Sequence, residues 1–156
     1  MASYVGGMAH TLLRTVVTRW DADSVFSYLL DFAHAEEWDS GTVSCERLTG
    51  DGGIGTRYRN VSKFLGRETT LDYEVEKIVP GRNFVITGEN KTVISKDTVI
   101  VTPSANGGAE VEYRADMTFK GVAGVISPLL SPFLKKLADD TETQLRSTLE
   151  AKASAA

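Results

Sequence analysis

"AEVEYRADMTFKGVAGVISPLLSPFLKKLADDTETQLRSTLE" runs from Ala109 to Glu150, and its hydrophobic period changes partway along. Up to Phe119 the residues alternate. Val111, Tyr113, Ala115, Met117 and Phe119 share one face, while Glu110, Glu112, Arg114, Asp116 and Lys120 share the other. A period of two describes a strand with one face buried. Beyond Gly121 the apolar positions are Ile126, Leu130, Phe133, Leu137, Thr141, Leu145 and Leu149, spaced by three and four. That is the stripe of a helix lying on a sheet. Two prolines interrupt its start, and each follows a serine: Ser127-Pro128 and Ser131-Pro132. A serine cap followed by proline in the first turn is a helix beginning. The helix is therefore expected to start at one of them. Residues 121–131 are then either a bent lid, with Val122, Val125, Ile126, Leu129, Leu130 and Phe133 facing inward, or an ordinary loop.

Upstream of this junction the period stays at two. "TVSCERL" (42–48), "TRYRNVSKF" (56–64), "RETTLDYEVEKI" (67–78), "RNFVITGE" (82–89) and "KDTVIVTPS" (96–104) read as strands. Residues 91–96 read as a bulge or a loop. Gly, Asp, Asn and Pro clusters at 50–53, 65–66, 80–82, 89–91 and 106–108 separate the strands. Connections this short imply an antiparallel meander. Further upstream, "HTLLRTVVTR" (10–19) reads as a strand. "WDADSVFSYLLDF" (20–32) switches to helical spacing, with Asp21 as N-cap, and "AHAEEW" (33–38) forms a second short helix. A strand, two short helices, six strands and one long helix, with sheet and helix segregated, define an α+β fold.

Length and composition bound the function. A chain of 156 residues fits one domain, here 1–156 with its core over about 10–150. The net charge is −4 with both signs interspersed, so no basic stripe offers a nucleic-acid footprint. One cysteine, Cys45, forbids an intrachain disulfide and is expected to be a small buried hydrophobe. No signal peptide and no bilayer-length apolar run are read, so a cytoplasmic protein without stable membrane insertion is expected. His10 and His34 are the two histidines, too few for a histidine metal cluster. His34, near Trp38, is placed at a cavity rim and His10 at an exposed strand start. "GDGGIG" (50–55) precedes a strand and reads as a turn rather than a phosphate loop. No metal or other cofactor is called for.

Alternation also sorts the side chains. Leu71, Tyr73 and Val75 oppose Asp72, Glu74 and Glu76, and Tyr58, Val99 and Val101 join the apolar face. One helix covers part of a curved seven-stranded sheet. Tyr58, Tyr73, Tyr113, Met117, Phe119 and Trp38 then line what it leaves uncovered. A packed core gives the same pattern as a pocket. Three tyrosines on an apolar face match a pocket with a few polar handles. No acid/base pair is read within it: Arg57, Arg59, Arg114, Asp72 and Glu74 all point outward on this register.

Four stretches carry a resemblance: "DADSVFSYLLDFAHAEEWDSG" (21–41), "GIGTRYRNVSKFLGRETTLDYEVEKIVPGRNF" (53–84), "VTPSANGGAEVEYRADMTFKG" (101–121) and the closing amphipathic helix. With them the chain, from about His10 to Glu150, resembles the SRPBCC superfamily of START-like, helix-grip proteins. It is most similar to the bacterial polyketide cyclase/dehydrase-like branch. The resemblance implies a seven-stranded curved antiparallel sheet wrapped around a long C-terminal helix, with two short helices between the first two strands. It also implies a cavity for a hydrophobic small molecule such as a lipid or polyketide-like metabolite. The ligand-binding set it suggests is Trp38, Tyr58, Tyr73, Val99, Val101, Tyr113, Met117, Phe119, Ile126, Leu130 and Phe133. Three functions stay open: a carrier, a polyketide cyclase/aromatase or dehydrase, and a protein-interaction module. The expected partner is a small hydrophobic ligand rather than nucleic acid, and the expected state is a monomer or weak dimer.

Overall fold

Among the described residues, 8–156, the computed structural model has seven strands: β1 (Met8–Thr18), β2 (Thr42–Thr49), β3 (Arg57–Phe64), β4 (Arg67–Val79), β5 (Asn83–Glu89), β6 (Val93–Pro103) and β7 (Ala109–Phe119). Between β1 and β2 lie α1 (Ala22–Leu30), a 3-10 turn (Phe32–His34) and α2 (Ala35–Trp38). After β7 come α3 (Gly121–Ile126), a second 3-10 turn (Ser127–Leu130) and α4 (Ser131–Ala155).

All pairings are antiparallel, in the order β1-β7-β6-β5-β4-β3-β2. The tight turns explain the run from β2 to β7. Leu65 and Gly66 join β3 to β4 with φ of 51° and 79°. Two consecutive positive φ values give the hairpin turn whose twist matches its strands. The segment left open at 91–96 divides between a turn and a strand. Asn90 Oδ1 accepts from the backbone N–H groups of Thr92 and Val93, closing the turn so that β6 begins at Val93. β1 returns to pair with β7 along its whole length, from Met8 opposite Phe119 to Thr18 opposite Ala109. Edge strand β2 carries two register shifts, which blunt it as a template for further pairing.

α1 begins where Asp21 Oδ1 accepts from the Ser24 N–H at 2.9 Å, and it buries Val25, Phe26 and Leu29. With the first 3-10 turn and α2 it closes one end of the trough between sheet and α4. Phe26 meets Phe84 edge-on at 6.0 Å, and Phe32 meets Trp38 and Tyr58 in the same way.

α4 buries Leu134, Ala138, Thr141, Leu145 and Leu149. The expected stripe holds from half-buried Leu137 onward and departs from the buried face before it. At 100° per residue Leu134, seven positions before Thr141, falls about 20° from it and shares its face, whereas Phe133 falls about 80° away. Gly124, Ser127 and Leu134 point inward, while Val122, Val125, Ile126, Leu129 and Phe133 are exposed. The inward-facing lid is corrected accordingly. The serine caps are corrected too: Ser127 and Ser131 both have helical φ and ψ, which a cap residue does not. Ser127 Oγ instead donates back to the Gly124 carbonyl. Pro128 and Pro132 do sit in the first turns of their helical segments, where no N–H is missed. No helix among the described residues is long and apolar enough to cross a membrane.

Candidate functional site

A cavity of about 170 Å³ lies between the sheet and the first half of α4. The strand period positions its walls. Leu71 and Tyr73 come from β4, Val93 and Ser95 from β6, Tyr113, Ala115, Met117 and Phe119 from β7, and Leu12 and Arg14 from β1. α4 closes it with Leu134, Leu137, Ala138 and Thr141.

Four residues of the expected set line this cavity: Tyr73, Tyr113, Met117 and Phe119. Val99 and Val101 are on the same face of β6 but farther along, where α1 fills the trough, and both are fully packed. Trp38 and Tyr58 are buried under the first 3-10 turn, behind the wall. Trp38 braces the lining from outside, with its ring edge-on to Tyr113 at 5.5 Å. Ile126 and Phe133 are exposed and half-buried Leu130 stays out of the lining, so the first helical residue to reach the wall is Leu134.

The histidines lie elsewhere. His34 stacks on Tyr28 at 4.3 Å, with Nδ1 at 2.7 Å from the Tyr28 carbonyl, outside the cavity lining. His10 is half-buried against the Phe119 ring, with Nδ1 3.5 Å from Ser131 Oγ. Cys45 is buried, and burial pushes its thiol up to about 12, which leaves it inert.

The polar groups are the part that sequence reasoning missed. Asp97 is 2% exposed on the inner face of β6. Its Oδ1 accepts from Ser95 Oγ at 2.8 Å and its Oδ2 from the Tyr113 hydroxyl at 3.0 Å. Burial pushes its carboxyl up to about 7, opposed by those two donors and reinforced by the negative charges of Asp39 and Asp116. Asp39, at the end of α2, lines the cavity directly. Thr141 Oγ1 donates to its Oδ1 at 2.9 Å and Thr42 Oγ1 to its Oδ2 at 2.6 Å. Burial raises this carboxyl as well. Burial next to Asp97 holds the Tyr73 and Tyr113 phenols well above their usual range, so both stay protonated. Among the described residues no cation pairs with Asp39 or Asp97. Arg14, on the opposite wall, is held by Asp139 at 2.8 Å and by the Leu13 carbonyl.

Asp97 was legible in principle. Asp97-x-Val99-x-Val101 alternates, so an acid occupies an inward position of a buried strand. Starting the strand at Lys96 put Asp97 at a fraying end and hid it. Asp39 carried no such signal, because "DSG" after a short helix reads as a turn.

Gly88 fixes the depth of the cavity. It lies opposite Tyr73, and a Cβ built on it would stand 2.7 Å from three atoms of the tyrosine ring. The missing side chain lets that ring lie flat on β5, tilted against Phe32 at 4.8 Å.

A family model described as polyketide cyclase/dehydrase and lipid transport matches residues 9–150. The fold is similar to that of a START superfamily protein from Mycobacterium smegmatis, at a TM-score of 0.72 and 17% identity over 94% of this chain and 98% of that one. It is also similar to the Zhui aromatase/cyclase from Streptomyces sp. R1128, at 0.76 and 13% identity over 94% of each chain. A protein from Thermus thermophilus superposes at 0.74, with 14% identity over 94% of this chain and 99% of that one. Identities this low show a common fold. No curated protein matches the sequence.

Proposed function

Because the chain belongs to the polyketide cyclase/dehydrase and lipid transport family, we propose that it binds a small, largely apolar organic molecule in the cavity between β4–β7 and α4. The observation that carries this reading is a cavity with apolar walls and one polar end, formed by Asp39, Ser95, Tyr113 and Thr141. Apolar burial supplies affinity and the polar end supplies orientation. Size limits the ligand. A cavity of about 150 Å³ in another protein takes up benzene, so roughly 170 Å³ suits one ring with a short side chain.

The test titrates one-ring probes (2-phenylethylamine, 2-phenylethanol, acetophenone and phenylacetate) while amide and methyl shifts are followed. Saturable shifts at Tyr73, Tyr113 and Leu134 are expected for at least one probe. Ala115→Leu, which fills the cavity with a methyl-bearing side chain, is expected to abolish them in a folded protein. Absence of binding by every probe overturns the reading, and so does binding that Ala115→Leu leaves intact.

One observation favours a second, catalytic reading. Asp97, held near 7 and hydrogen-bonded to the lining phenol of Tyr113, is poised for proton transfer at neutral pH. A cyclase or dehydrase withdraws a proton from an activated carbon and stabilises the resulting oxyanion. When Asp97 is protonated, either Ser95 or Tyr113 is released to donate into the cavity. The probe is 1-phenylbutane-1,3-dione in D2O. Deuterium uptake at its central carbon, accelerated by the protein and lost in Asp97→Asn, supports turnover; uptake at the uncatalysed rate rules it out for this substrate type.

A further inference from the structure

The polar end of the cavity has a hydrogen-bond sense, which follows from where each hydroxyl hydrogen is spent. Thr141 donates to Asp39, while Ser95 and Tyr113 donate to Asp97. Nearer the mouth, Ser62 donates to Asn60 Oδ1 at 2.6 Å and Thr92 to Asn90 Oδ1 at 3.0 Å. The Tyr73 hydroxyl lies on the lining beside Ser95, whose own hydrogen is given to Asp97. Arg14 directs Nε and Nη2 to Asp139 and Nη1 to the Leu13 carbonyl.

Beside the Tyr73 hydroxyl, what remains facing the cavity at this end are oxygen lone pairs. They belong to the Asp39 carboxylate and to the hydroxyl oxygens of Ser95 and Tyr113, whereas Thr141 Oγ1 already accepts from the Ser40 backbone N–H at 3.3 Å and from the Ser40 hydroxyl at 2.9 Å. A carboxylate accepts at about four sites and a hydroxyl at two. Asp39 is supported by the Thr42 and Thr141 hydroxyls and by the backbone N–H groups of Gly41 and Thr42, none of which carries a positive charge. A carbonyl or carboxylate ligand placed here would set lone pair against lone pair and desolvate its acceptor without a partner, a costly arrangement. A ligand with hydrogens to give, above all a positively charged one, would satisfy the end and supply the cation that the described residues do not.

We propose that the ligand of this cavity is a small amine: a protonated amino group directed at Asp39 and the Asp97-bound hydroxyls, carried on an apolar body of about one ring. This rests on the reading that the cavity binds a small organic molecule, and it names the chemical class. The ammonium group has three donors and no acceptor, which matches an end that has acceptors and few free donors. Charge-assisted hydrogen bonds to a buried carboxylate are about twice as strong as neutral ones, so discrimination against isosteric neutral molecules should be large.

The experiment compares 2-phenylethylamine with 2-phenylethanol, acetophenone and phenylacetate by calorimetry at pH 8, where Asp97 is ionised. The amine is expected to bind at least tenfold tighter than the alcohol, with the ketone and acid weaker still. In Asp39→Asn the amine's advantage over the alcohol is expected to fall at least tenfold while alcohol affinity stays within a few fold. Asp39 also ties Thr42 to Thr141, so this variant is expected to lose some stability. Tyr113→Phe, which keeps the shape and removes one acceptor, gives an independent reading and is expected to narrow the preference. Equal or tighter binding of the ketone or alcohol by the wild type overturns the amine assignment and leaves the cavity reading standing. Failure of all four probes overturns both.

Discussion

Asp97 carries the clearest consequence at the scale of single residues. Its folded-state carboxyl titrates near 7, against an ordinary value of 3.8. Raised in the folded state, the group contributes stability that is fully present below about 4 and is lost as pH rises through 7. Asp97→Asn removes this dependence. In urea melts from pH 3 to 8, the stability of the variant relative to wild type should rise by at most roughly 1.4 kcal/mol per unit between about 4 and 7 and level off above. A difference that stays flat with pH would place the Asp97 titration elsewhere. Asp72, Asp116 and Glu150 are held low by Arg59, by Thr11 with Arg114, and by Arg19, and contribute with the opposite sign at lower pH. Both variant and wild type retain these groups, so they cancel in the comparison. Gly88→Ala tests a different residue. The new methyl group displaces the Tyr73 ring toward the cavity and is expected to cost about 1–3 kcal/mol, read by thermal melting, and to weaken binding of any one-ring probe. These residues also mark what sequence could show. Alternation placed Tyr73, Tyr113, Met117 and Phe119 on the wall. The sense of a hydrogen bond, and the use of a turn aspartate as lining, depend on three-dimensional neighbours that no period encodes.

At the level of elements, the junction between β7 and α4 shows how a stripe drawn with spacings of three and four can drift off the buried face. In the uninterrupted α4, Leu134, Ala138, Thr141, Leu145 and Leu149 share one side. Phe133, chosen by spacing, lies about 80° round from Thr141 and is exposed. The consequence is a reversed mutational order. Leu134→Ala should destabilise by about 2–5 kcal/mol as a core truncation. Leu129→Lys, although it introduces a charge into an apolar-looking run, should change stability by less than about 0.5 kcal/mol, since Leu129 is 74% exposed. Chemical denaturation of the two variants side by side decides it, and the opposite ranking would refute this assignment of faces. The strands were legible throughout because their turns are short and one face of each is polar. The start of β6 was the exception, since it depends on a side chain, Asn90, that closes the turn from within.

On the scale of the whole molecule, the sheet is a meander closed by one distant pairing. Val16 on β1 faces Val111 on β7, about 95 positions away, and both are fully buried. Contacts this far apart in sequence form late, because loop closure must precede them. Val16→Ala is therefore expected to cost roughly 1–3 kcal/mol, expressed mainly as faster unfolding, with the refolding arm of the chevron nearly unmoved. A refolding rate that falls in proportion to the stability loss would put β1 in the folding nucleus instead. The same pairing has a meaning during synthesis. Leu12 and Arg14 are made about 100 residues before the strand that holds them. At roughly 5–20 residues per second, β1 waits on the order of 5–20 s for β7, an orphan edge with its apolar face uncovered. Until that strand arrives the nascent chain has a trough but no closed cavity, so the half-made domain is open to chaperones before it can enclose a small molecule.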